Sequence, residues 1–173
     1  MEWPLAIGGW SVPIWVSGIC EMMQQGVAVQ SSADIRYVDL EREVEACYPL
    51  MKQLRPHLAS GQEFIVCWRR QKSAGYRLIA VWDQARPVAL AGFRVQVNLV
   101  HGTHFYVDDL VTEEAQRSGG YGRTLMERLK AEGMALGCAK LVLDASLVNT
   151  LGHRFYYRQG LLATALRFTL PLV

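Results

Sequence analysis

Arg117-Ser118-Gly119-Gly120-Tyr121-Gly122 joins a strand-like apolar run, Phe105 to Thr112, to a helix-like run, Thr124 to Leu136. Strand, glycine turn, helix is an arrangement in which the backbone presents several N–H groups to an anion. The glycines let a ligand approach the chain closely, and the helix N-terminus adds a partial positive charge. The turn therefore reads as a cradle for a phosphate or pyrophosphate, or more plainly as a tight strand-to-helix connection. It is not a P-loop, because no Gly-Lys-Ser/Thr closes it. It also lacks the third glycine of a dinucleotide fingerprint and the early βαβ unit around it.

A second motif lies downstream: Asn149-Thr-Leu-Gly152-His-Arg-Phe155-Tyr156-Tyr-Arg-Gln-Gly160-Leu161. Between the two motifs runs an apolar strand, Lys140-Leu-Val-Leu-Asp144. In this order the motifs resemble the GNAT acetyltransferase superfamily. That family's pattern is Arg/Gln-x-x-Gly-x-Gly/Ala, then a strand, then Asn-x-x-Ala-x-x-x-Tyr-x-x-x-Gly-Phe. Arg117, Gly120 and Gly122 carry the first part. Asn149, Gly152 for Ala, Tyr156, Gly160 and Leu161 for Phe carry the second. The similarity covers roughly residues 33 to 170 and is strongest from 105 to 161.

The 173 residues suffice for one domain with a core. About half the chain is hydrophobic and a fifth is charged, a globular balance. A net charge of +2 gives no reason to expect a nucleic-acid partner. The four cysteines, Cys20, Cys47, Cys67 and Cys138, form no Cys-x-x-Cys pair, and no His/Cys cluster has zinc spacing, so no metal is expected. They read as buried, reduced thiols of a cytoplasmic protein. Residues 3 to 20 are uncharged but broken by Pro4, Gly8, Gly9, Pro13 and Gly18, so neither a spanning helix nor a signal peptide is expected. Residues 1–30 read as an N-terminal extension and 31–173 as the domain.

Alternating apolarity predicts a first strand at Asp34–Val38. Asp39 is placed to cap a helix from Glu41 to Leu54, which Pro49 should kink or divide. Ser60-Gly-Gln-Glu63 is a capping box for a second helix ending near Lys72. Strands are expected at Tyr76–Trp82 and Val88–Val97, the latter with a bulge near Gly92, joined to Phe105–Thr112 by hairpins. Leu125, Leu129 and Leu136 should line the core face of the next helix, stopped by Gly137. A helix from about Thr150 to Gln159 and a strand from Ala163 to Leu170 complete the chain. The fold class is mixed α/β (α+β). The resemblance makes it one GNAT domain with a mostly antiparallel sheet, a V-shaped splay between the fourth and fifth strands, and helices on both faces.

The resemblance also implies a ligand, acetyl-CoA, and an amine acceptor, with a homodimer left open and no membrane partner. Pantetheine would lie along the free strand edge at Leu110, Val111 and Thr112. Pyrophosphate would sit on the backbone N–H groups from Arg117 to Arg123, that is Arg117, Ser118, Gly119, Gly120, Tyr121, Gly122 and Arg123. Asn149 would touch the pantetheine arm, or else cap the helix that follows. Tyr156 would protonate the departing thiolate, with Tyr157 pointing elsewhere. On the acid pair Asp108–Asp109, neighbours on a strand should face opposite ways. By register with the family pattern Asp108 is the acid facing the acceptor, and Asp144 is a weaker candidate. The implied activity is transfer of an acetyl group to a primary amine of a small molecule or peptide; the alternative is a non-catalytic acyl-CoA-binding regulatory module. Two departures bear on the acceptor: Leu143-Asp144-Ala145-Ser146 stands where the most similar subgroup has Leu-Asp-Ser-Gly, and Arg167-Phe168 where it has His-Phe.

Overall fold

The computed structural model describes residues 34–172, so the predicted N-terminal extension lies outside the described residues. The elements in chain order are β1 (Asp34–Tyr37), α1 (Glu41–Leu54), α2 (Gly61–Lys72), β2 (Arg77–Asp83), β3 (Arg86–Asn98), β4 (Gly102–Thr112), a 3₁₀ turn (Glu114–Gln116), α3 (Tyr121–Ala135), β5 (Leu141–Leu143) and α4 (Thr150–Arg158). The five strands lie in sequence order, antiparallel from β1 to β4 and parallel between β4 and β5. This is the mixed, mostly antiparallel sheet that the sequence predicts.

Two apolar layers clamp the sheet. On one face α1 and α2 bury Val44, Cys47, Leu50, Phe64 and Trp68 against Leu78, Ala80 and Leu90. On the other, α3 buries Leu125, Met126 and Leu129 against Ile79, Ala91, Phe93 and Phe105. Each large apolar side chain so buried contributes about 1.5–3 kcal/mol. The buried stripe of α3 continues through Gly133, which lets the helix lie close on Phe105. The predicted stripe residue Leu136 lies past the last helical residue, Ala135, and is exposed, as is its neighbour Met134.

Local capping explains most boundaries. Ser60 Oγ accepts the Glu63 N–H at 3.1 Å, the first half of the predicted capping box, while the Glu63 carboxylate reaches one residue further back and accepts the Ala59 N–H at 2.6 Å rather than that of Ser60. Asp39 does not cap α1. Leu40 is the cap residue, and Glu43 accepts the N–H groups of Asp39 and Leu40 at 3.3 and 3.4 Å. The Asp39 carboxylate is drawn instead to Lys72, at 2.9 Å. Helix α1 also runs unbroken through Pro49, since Val44 and Cys47 before it and Leu50 and Met51 after it are held on one apolar layer.

The predicted strand Ala163–Leu170 is not formed. A strand needs a ladder partner, and beyond Leu161 no backbone bond ties this segment to the short β5 among the described residues. Its apolar residues, Phe168 among them, stay exposed. One side chain holds it: Arg167 pairs with Asp144 beyond the end of β5 and donates to the Tyr106 hydroxyl at 2.9 Å.

Candidate active site

β4 carries the site. Along β4, Phe105 and Val107 face α3, yet Val111 faces α1 and α2. A regular strand would keep these odd-numbered residues on one face. The pairing with β3 supplies the reason: Gly92 pairs with Asp109 and Phe93 with Val107, so Asp108 is an extra, unpaired residue. The bulge near Gly92 is therefore present, with the inserted residue on β4. It turns Asp108 and Asp109 to the same side, which corrects the expectation that they face opposite ways.

The two acids are answered differently. Asp109, 8% exposed, takes Arg55 Nε at 2.8 Å on Oδ1 and the Tyr76 hydroxyl at 2.8 Å on Oδ2. Tyr76 lies flat over Gly92, where even a Cβ would come within 1.9 Å of its hydroxyl oxygen. Burial and the Asp109 charge hold that phenol well above its ordinary value. Asp108 takes Arg94 Nε at 2.9 Å on Oδ2. Its Oδ1 has no partner among the described residues. Burial lifts the Asp108 carboxyl above its ordinary value despite the Arg94 guanidinium, which pulls the other way. Arg94 in turn donates Nη2 to Gln71 Oε1 at 2.8 Å. Arg55, Gln71, Asp108 and Asp109, with apolar Met51 and Phe64, line a cleft of about 280 Å³ between the two helices and the bulge.

β5 accompanies β4 for three residues only, ending at Val107–Leu143. From Asp108 to Thr112 the edge of β4 away from β3 is therefore open, including Leu110, Val111 and Thr112. The glycine turn follows directly. Gly120 adopts φ +89°, a left-handed conformation that costs a residue with a side chain, and it caps α3. The amides of Gly120, Tyr121, Gly122 and Arg123 have no acceptor among the described residues, nor does that of Ser118. Those of Arg117 and Gly119 are spent on Glu114 O and Gln116 O, at 3.3 and 3.2 Å, so the expected row from Arg117 to Arg123 is shorter by two. The Arg117 side chain pairs with Glu114 and that of Arg123 with Glu127, and both are well exposed.

Helix α4 docks beside this turn. A Cβ on Gly122 would sit 3.4 Å from the Phe155 ring and 3.5 Å from Thr112 Oγ1, so β4, α3 and α4 meet at one point. Tyr156 follows Phe155, half-buried and packed edge-on to it at 5.5 Å. Burial raises its phenol above the ordinary value, while Tyr157 is 57% exposed. The end of α4 explains the spacing of the second motif. Gly160, at φ +83°, donates to Tyr157 O, and Leu161 N–H reaches back to Tyr156 O, both at 3.0 Å. Asn149 caps α4, its Oδ1 accepting the Gly152 N–H at 2.9 Å. Gly152 stands where the pattern has Ala; an added Cβ would lie 2.5 Å from the Asn149 side-chain amide, which would have to shift to admit it. Asp144 is engaged with Tyr106 and Arg167. Arg55, Gln71, Tyr76 and Arg94 were not legible as site residues; only the Gly92 bulge hinted at a feature there.

Comparison with known proteins agrees with this architecture. An N-acetyltransferase of Bacillus subtilis (strain 168), uncharacterized YhdJ, is 30% identical over 112 residues, covering 63% of this chain and 77% of its own. The aminoglycoside N-acetyltransferase AAC(6')-Iy in complex with CoA superposes with a TM-score of 0.71 at 16% identity, over 83% of this chain and 98% of that one. Glucosamine-6-phosphate N-acetyltransferase from Arabidopsis thaliana gives 0.67 at 18% identity, over 83% and 100%. The model of the acetyltransferase (GNAT) family matches residues 38–161, from the end of β1 through the Gly160–Leu161 stop. This chain therefore belongs to the acetyltransferase (GNAT) family and is an acetyltransferase.

Proposed function

We propose that the protein transfers the acetyl group of acetyl-CoA to a primary amine by direct attack. The observation that carries this reading is the run of four unpaired amides from Gly120 to Arg123, set directly beyond the open edge of β4. Four convergent N–H groups at a helix N-terminus suit a pyrophosphate, and an open strand edge suits the amide-containing pantetheine arm. Neither feature needs a particular side chain, and both fit acetyl-CoA.

The chemistry needs an unprotonated amine and a stabilised leaving group. Asp108 serves the first need. Its free Oδ1 faces the cleft, and its raised proton affinity lets it take a proton from an incoming ammonium, directly or through water. The amine nitrogen then attacks the thioester carbonyl, the C–N bond forms and the C–S bond breaks. Tyr156 serves the second need. A phenol raised above about 10 stays protonated near neutral pH. It can therefore donate a hydrogen bond to the developing thiolate, and the second amine proton leaves as CoA thiol forms. Asp109, with both oxygens engaged, holds the bulge and takes no part in the transfer.

The test is thiol release from acetyl-CoA over a panel of amines, run beside a thermal-shift titration with acetyl-CoA. The expected result is stabilisation by acetyl-CoA together with amine-dependent release. Binding without release on any amine would overturn the catalytic reading and leave a binding module.

A further inference from the structure

The cleft under the bulge carries more donors than its own acids consume. Arg55 commits Nε and Nη2 to Asp109, with Nη2 also donating to Asp108 O at 2.8 Å; Nη1 has no partner among the described residues. The Arg55 side chain is 42% exposed, so that nitrogen is within reach of a ligand. Gln71 is oriented by Arg94. A guanidinium only donates, so Gln71 must turn Oε1 towards it, which leaves the amide NH₂ of Gln71 without a partner among the described residues. Among the described residues, Asp108 Oδ1 is the acceptor of the cleft carboxylates that stays unused.

Charge narrows what could fill this space. Each acid already has a guanidinium: Asp108 with Arg94, and Asp109 with Arg55. The four charges cancel, so a polycation gains no net attraction here. A zwitterion does fit, with its ammonium on Asp108 Oδ1 and its anion on Arg55 Nη1 and the Gln71 amide. The remaining wall is mostly apolar, with Met51, Leu58 and Phe64 beside Cys67, the Tyr76 ring and one imidazole, His57. About 280 Å³ is small for a ligand site and excludes bulky oligosaccharides from full burial.

Resting on the proposed acetyl transfer, we infer that the acceptor is a free amino acid with an apolar side chain, its carboxylate read by Arg55 and Gln71. A peptide N-terminus lacks that carboxylate next to the amine, and a simple alkylamine lacks it altogether.

The test uses the full chain and matched acceptors: leucine, leucinamide and 3-methylbutylamine, and phenylalanine, phenylalaninamide and phenethylamine. Spermidine and an aminoglycoside serve as polycations. Thiol release is compared per unit of unprotonated amine. Hydrogen bonds to a charged group are worth roughly ten- to hundredfold in affinity, so kcat/KM should fall by about that factor when the carboxylate is capped or removed. Arg55→Lys, which keeps the charge and loses the fork, should shrink the ratio of kcat/KM between leucine and 3-methylbutylamine, chiefly through KM for leucine. Amines or polycations used as well as the amino acids would overturn the inference while leaving acetyl transfer standing. Absence of release with every amino acid would overturn it too, and absence of acetyl-CoA stabilisation as well would remove the proposed function beneath it.

Discussion

The two halves of the candidate site lie on either side of the last residues of β4 and are made of different material. Beyond Thr112, the turn from Ser118 to Arg123 offers main-chain amides from one continuous stretch. At the Asp108 end, the cleft is made of side chains from separate stretches, Arg55 just past α1, Gln71 of α2 and Asp108 of β4, with Arg94 of β3 bonded to both Gln71 and Asp108. A main-chain site depends on backbone conformation and tolerates many side chains. A side-chain site depends on which residues the fold brings together and changes with single substitutions. The first suits a co-substrate shared by a family, and the second suits an acceptor peculiar to one member.

The largest expected effect lies where both halves must act together. Tyr156→Phe keeps the ring against Phe155 and removes only the hydroxyl. Steady-state kinetics should show kcat reduced by about 10² to 10⁴, the range for a lost proton donor, with the Kd for acetyl-CoA unchanged. Tyr157→Phe, on the exposed side of α4, should change neither. Equal behaviour of the two variants would remove Tyr156 from the mechanism.

Next comes the backbone half. Gly120→Val places a β-branched residue at φ +89°, where side chains are strained, and at the mouth of the amide row. At a hundredfold excess over Kd, acetyl-CoA should stabilise the wild-type fold by roughly 2.7 kcal/mol. The variant should lose that stabilisation in a thermal-shift titration. An undiminished shift would show that the amides are not the anchor.

The side-chain half divides between its two acids. Asp109→Ala leaves the buried Tyr76 hydroxyl without its acceptor and should lower unfolding stability by about 1–3 kcal/mol in urea. Asp108→Asn should cost little stability but change the pH dependence of kcat/KM. As base, Asp108 must be deprotonated, so activity should fall as pH drops through its folded pKa. Burial raises that pKa, which places the acidic limb above the range of an ordinary aspartate. The Asn variant should lose that limb along with most of its rate. A limb that survives in Asp108→Asn would assign the base elsewhere.

How much of this was legible follows the same division. Main-chain features announce themselves locally. Gly120 and Gly160 need left-handed backbone, Ser60 caps its helix on the Glu63 N–H, and the Tyr156-to-Leu161 spacing is a helix stop, so these positions were readable one segment at a time. The paired facing of Asp108 and Asp109 was not. It depends on β4 using eleven residues, Gly102 to Thr112, against the ten of β3 from Ala89 to Asn98, a register that exists only between strands. Arg55 carries no local signal, because its partner Asp109 lies 54 residues away. The failed strand Ala163–Leu170 has the same origin: alternation describes a segment's faces, while its ladder depends on a neighbour.

The smallest expected effect tests the backbone half most directly. Arg123 sits inside the amide row, yet its side chain is 73% exposed and already paired with Glu127 at 2.9 Å, one turn along α3. An exposed i,i+4 pair is worth only about 0.3–0.5 kcal/mol. Arg123→Ala keeps the amide and removes the guanidinium. If the main chain carries the phosphates, the Kd for acetyl-CoA should rise less than about threefold, with a correspondingly shallow dependence on salt, since few side-chain charges are being screened. A Kd raised by two orders of magnitude, with a wild-type Kd that itself rises steeply with salt, would mean that Arg123 leaves Glu127 to grip the ligand. The cradle would then be a side-chain site like the cleft, and the difference between the two halves would be lost.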